Sequence, residues 1–80
     1  MKINDASEFG KALRQRRKEL KYTQKDLSEF TGFSISYLSD LENGKQTTEL
    51  GKAIYIANLL GIDILLQERR GNFEQIESIH

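Results

Sequence analysis

The sequence predicts a mainly all-α domain of four to five helices closed by one short β-strand. Three observations carry this prediction. Apolar residues recur at three-to-four spacing in four successive segments. Each segment opens on a residue with a capping side chain, and three of the four close on or beside a glycine, in a chain that has no proline. Around residue 62 the apolar period then changes from helical to alternating.

The first helix starts at Asp5 or Ser7, either of which can cap it, and runs to about Leu20. Phe9, Leu13, Arg17 and Leu20 share one face. Thr23 caps the second helix, and Asp26 in its first turn suits the helix dipole. That helix runs to about Thr31 with Leu27 and Phe30 turned inward, and Gly32 is placed to take the left-handed conformation that ends it. Ser34 caps a third helix, with Leu38 and Leu41 inward, and Gly44 closes it. Thr47 or Thr48 caps a fourth, with Leu50, Ile54, Ala57 and Leu60 along its buried face, and Gly61 ends it.

Residues 62–68 are short, apolar and β-branched, with Ile62, Ile64 and Leu66 on alternate positions, and read as a strand. A lone strand edge in a helical chain needs a partner, and a second copy of the chain is the economical one. The alternative is that this segment extends the apolar cap of the fourth helix. Residues 1–61 thus form the helical domain, 62–68 the dimerisation strand and 69–80 a flexible polar tail.

Eighty residues allow one domain with one small core. The chain has no cysteine, so it has no disulfide framework and no thiolate metal site. Its one histidine is His80, too far along to build a catalytic dyad inside the fold. No apolar run is long enough to span a bilayer, and the N-terminus lacks the apolar core of a signal peptide. The expectation is a cytoplasmic protein, not an enzyme, with no metal and no small-molecule cofactor. Net charge is zero, which taken alone argues against nucleic acid. The distribution is uneven, however. Residues 1–25 hold eight cations against Asp5, Glu8 and Glu19, a net of +5, and residues 26–80 carry a net of −5.

The two helices joined at Gly32 have the form of a helix-turn-helix. With Leu38 as zero and about 100° per residue, Ser34 and Leu41 lie inward, while Ser36, Ser39, Asp40 and Asn43 lie outward and Ile35 and Glu42 fall at the border. The outward side chains are short and polar, as a helix reading base edges in a major groove about 12 Å wide requires. An ordinary surface helix would more often carry Lys and Glu there. Arg17 on an apolar stripe and Glu42 at the border of the buried face each need a partner, so they are expected to pair.

Over about residues 9–61 the chain resembles the Xre/Cro-type helix-turn-helix regulators. The resemblance rests on Thr23-Gln24, Leu27-Ser28, Gly32-Phe33-Ser34, Leu38-Ser39 and above all Leu41-Glu42-Asn43-Gly44-Lys45. It implies a lambda-repressor-like fold that binds double-stranded operator DNA. Ile35, Ser36, Ser39 and Asp40 would occupy the base-reading positions. Gln24, Asn43, Lys45, Gln46 and Thr47 would hold phosphates, with Ser34 at a helix start and the Tyr37 hydroxyl beside them. Asp40 departs from the Gln, Arg or Lys more usual there; it sets specificity by exclusion, or it weakens binding. The segment after the fourth helix narrows the resemblance to HipB-type antitoxins, dimeric repressors whose C-terminal strands pair and whose partner is a HipA-type kinase toxin. The alternatives are another Xre-type regulator, from a phage or a restriction-modification system, and a protein-interaction module of the same fold with little DNA affinity. Steep salt dependence of DNA binding discriminates the last from the others.

Overall fold

The computed structural model describes residues 2–68. Four helices fill them: α1 (Ala6–Glu19), α2 (Gln24–Thr31), α3 (Ile35–Glu42) and α4 (Leu50–Leu59). The expected tail at 69–80 lies outside the described residues.

Local chemistry sets the helix starts. Asp5 caps α1 and accepts from the Glu8 N–H. Thr23 caps α2 in a reciprocal box: its hydroxyl accepts from Asp26 N–H at 3.0 Å, and the Asp26 carboxylate accepts from Thr23 N–H at 2.8 Å. Ser34 caps α3 by accepting from Tyr37 N–H at 3.0 Å. α4 differs from expectation. Neither Thr47 nor Thr48 caps it; the cap position is Glu49, which makes no side-chain cap bond.

The helix ends follow one pattern. At α1, α3 and α4 the chain turns through a left-handed residue and closes two backbone bonds onto the last turn. Gly44 and Gly61 serve at α3 and α4, but Lys21 serves at α1, with φ 62°.

The core is Leu13, Leu27, Leu38, Leu41, Ala53, Ile56, Ala57 and Leu60, one or more residues from each helix. Burying each large side chain contributes about 1.5–3 kcal/mol. Two expectations about inward faces fail. Phe30 is 57% exposed and stacks edge-to-face on Tyr22 instead, with centroids 5.4 Å apart. Counting from Leu27, Thr31 lies roughly 40° round the helix and Phe30 roughly 60°. α2 buries little beyond Leu27, and Thr31 takes the nearer place. In α4, Leu50 is 73% exposed, and the buried face is Ala53, Ile56, Ala57 and Leu60. The three-to-four spacing fits either register in so apolar a helix.

Among the described residues, 62–68 form no ladder. Ile62 donates to Ala57 O at 2.9 Å and packs on the core, so at this residue the segment does extend the apolar cap of α4. Ile64, Leu65 and Leu66 stand exposed, Leu66 almost fully. A strand is defined by its hydrogen-bonded neighbour, and the described residues hold none for this segment.

Candidate nucleic-acid interface

The site rests on a buried ion pair. Arg17 of α1 and Glu42 of α3 are 8% and 7% exposed. Arg17 Nε donates to Glu42 Oε2 at 2.7 Å and Nη2 to Oε1 at 3.0 Å, a bidentate fork. Its Nη1 donates to Tyr22 O at 2.8 Å. The hydrogen bond to Glu42 holds the guanidinium above its ordinary pKa, against the opposing effect of burial. Gln24, at the start of α2, donates from Nε2 to Glu42 Oε1 at 3.2 Å. One carboxylate therefore ties together the end of α1, the start of α2 and the end of α3.

Gly10 adds a close approach that sequence reasoning missed. A β-carbon there would lie 2.4 Å from Leu41 O and 2.5 Å from Glu42 O, so only glycine lets α1 come this near the end of α3. The signal was available: a glycine inside a helix, roughly 60° from Leu13, costs about 1 kcal/mol against alanine and implies a packing reason.

The turn between α2 and α3 is fixed from both sides. Gly32 takes φ 78°, and Ser28 Oγ donates to Phe33 O at 2.6 Å. α3 then presents one edge outward. Ile35 is 46% exposed, Ser36 and Asn43 are exposed, and Ser39 and Asp40 are half-buried. Asn43 Nδ2 donates to Ser39 Oγ at 3.3 Å, and Lys45 Nζ lies 3.3 Å from Asp40 Oδ2. The first N–H groups of α2 and α3 lack intrahelical acceptors, as at any helix start, and favour an anion. Lys45, Gln46 and Thr47 line the exposed loop that follows.

Tyr37, expected beside the phosphates, is half-buried. Its hydroxyl is buried with no hydrogen-bond partner, as is that of Thr48. Burial, and then the charge of Glu49, push the phenol above its ordinary pKa. The ring instead packs edge-to-face on Phe33, and Lys52 Nζ lies 5.4 and 5.5 Å from the Phe33 and Tyr37 centroids. Among the described residues no group of His, Cys, Asp and Glu could hold a metal ion, and no helix is long and apolar enough to cross a membrane.

Comparison with known proteins places these features. The chain is 34% identical over 71 residues to the HTH-type transcriptional regulator y4mF of Sinorhizobium fredii, covering 86% of this chain and 93% of that protein. It is 32% identical over 60 residues to the ImmF control region 10 kDa protein of Bacillus phage phi105, covering 75% of this chain and 67% of the relative. Among solved structures, a HipB–O4 20mer complex superposes with a TM-score of 0.77 at 24% identity, over 85% of this chain and 96% of that one. A HipA–HipB–O2–O3 complex matches with the same figures. The helix-turn-helix family HTH_3 matches residues 13–67, and the chain belongs to that family as an Xre-type helix-turn-helix transcriptional regulator.

Proposed function

We propose that the chain is a dimeric repressor that binds a palindromic operator, and that it is the antitoxin partner of a HipA-like kinase. The observation that carries the DNA reading is the outward edge of α3: short, polar and free of long side chains from Ile35 to Asn43. In this reading Ile35 packs on a thymine methyl, Ser36 and Ser39 bond base edges, and Asp40 accepts from an amino group. Gln24, Ser34, Asn43, Lys45, Gln46 and Thr47 hold the backbone on either side. Gln24 reaches its phosphate from a side chain already steadied by Glu42.

The exposed Ile64, Leu65 and Leu66 support the dimer. Pairing this segment antiparallel with its copy would satisfy its backbone and cover these side chains. The two α3 helices would then sit about 34–36 Å apart, one turn of DNA. The antitoxin role draws its support from the HipB structures, one of them a complex with HipA. The phage phi105 relative favours a second reading, a phage-type control protein with no toxin partner.

A gel shift on the chain's own upstream region, at rising salt, tests the DNA reading. Binding should weaken steeply, since each phosphate contact contributes a log–log slope of about −0.9. No shift at low salt would refute it. Co-purification with the product of the neighbouring frame separates antitoxin from phage-type regulator.

A further inference from the structure

Asp40 and Lys45 are tied together by the backbone as well as by charge. α3 closes with Gly44 N–H donating to Leu41 O at 3.2 Å and Lys45 N–H donating to Asp40 O at 3.0 Å. This closure brings the side chains of its third-last helical residue and of the second residue beyond the cap together, usually as an apolar contact. Here the two are a carboxylate and an ammonium, 3.3 Å apart. Gly44 fixes the approach: its φ is 82°, and a β-carbon there would lie 2.6 Å from Ser7 Cα of α1. The side chains are 46% and 57% exposed, so the pair is weak and can open.

The pair stands where the reading face meets the expected phosphate contacts. Closed, it adds no net charge toward DNA. If Lys45 turned to a phosphate, Asp40 would be left bare among anions. That state becomes favourable only when Asp40 finds another donor. In the major groove the available donors are the amino groups of cytosine N4 and adenine N6.

Building on the DNA reading above, we propose that the Asp40–Lys45 pair is a specificity gate. Lys45 is released to the phosphate backbone only where the groove presents an amino group to Asp40. The gate suppresses binding to arbitrary sequence and leaves the operator unaffected.

The test compares a duplex of the chain's own upstream region with a scrambled duplex of equal length. Wild type, Asp40→Asn, Lys45→Ala and the double variant are titrated at about 50 and 200 mM salt. Asp40→Asn should tighten binding to the scrambled duplex several-fold. Its salt slope should steepen by about one phosphate contact, so the gain shrinks about threefold between those salts. Discrimination between the duplexes should narrow by about tenfold, the scale of one base contact. Lys45→Ala alone should weaken the operator complex through the lost phosphate contact and the scrambled complex through the bared Asp40, but flatten the salt slope by about one contact on the operator only; in the Asp40→Asn background it should flatten the slope on both duplexes. Asp40→Ser should repeat the Asp40→Asn result, and circular dichroism checks that each variant folds. Equal flattening of the salt slope on both duplexes by Lys45→Ala in the wild-type background, or equal tightening of both by Asp40→Asn, would overturn the gate alone. Variants that bind both duplexes as the wild type does would likewise overturn the gate alone, whereas no binding of either duplex by wild type and variants at about 50 mM salt would overturn the DNA reading, and the gate with it.

Discussion

Arg17 and Glu42 meet through two hydrogen bonds, 2.7 and 3.0 Å long, in a place where both are nearly closed to solvent. Removing one partner strands the other's charge. Arg17→Met or Glu42→Leu alone should therefore cost about 3–5 kcal/mol, a large share of the stability of a domain this small. The double variant should recover most of that loss, because no buried charge remains. Urea titration of the three variants checks it; purely additive losses would show that the pair is not coupled. The raised guanidinium pKa adds stability that is complete below its unfolded value and is lost only as pH rises through the folded one. Arg17 itself should contribute no pH dependence to stability near neutrality.

Gly10→Ala tests the contact between α1 and α3. Alanine would gain about 1 kcal/mol of helix propensity, but its β-carbon would meet the carbonyls of Leu41 and Glu42, which are backbone and cannot swing away. A net loss of about 1–3 kcal/mol is expected in thermal melts. A melt unchanged or raised would show that the helices can part freely.

Lys21→Gly should stabilise. Lysine at φ 62° carries a left-handed penalty of about 1–2 kcal/mol that glycine does not. Glycine's looser unfolded chain offsets part of the gain, leaving roughly 0.5–1 kcal/mol. Denaturant midpoints of the two proteins report the sign.

Tyr37→Phe removes a buried hydroxyl that has no partner. The expected change is neutral to about +1 kcal/mol. It also has a pH signature. The folded phenol has a raised pKa, so the wild type loses stability once pH climbs past the unfolded value of about 10. The phenylalanine variant should lack that contribution to alkaline loss, which stability curves from pH 8 to 11 would reveal.

What the sequence made legible was chemistry that acts over a few residues. Thr23, Ser34, Gly32 and Gly44 announce helix ends because capping and left-handed turns are decided locally. Arg17 and Glu42 were legible for a different reason: a charge on an apolar stripe has few ways to survive burial. The inward face of α4 was not legible, since Leu50, Ile54, Ile56 and Leu59 make nearly every side of that helix apolar and only the neighbouring helices choose among them. Phe30 misled for another reason: it lies about 60° from Leu27, and α2 buries little beyond that one residue. The enclosure of the Tyr37 hydroxyl depends on where the loop to α4 folds back, a long-range matter that no local pattern encodes. Residues 62–68 carry a strand pattern, but pairing is a long-range matter, and the described residues hold no ladder for it.

The division of labour along α3 has a consequence for how such a regulator changes its target. Leu38, Leu41 and Glu42 hold the helix in place, whereas Ile35, Ser36 and Asp40 point away from the buried framework. If these outward residues read DNA as proposed, they are interchangeable in a way the framework is not. On that proposal, new operators would be acquired by exchanging a few outward side chains while the framework keeps the fold, and two copies of this gene in one genome could drift to separate sites without passing through an unstable intermediate.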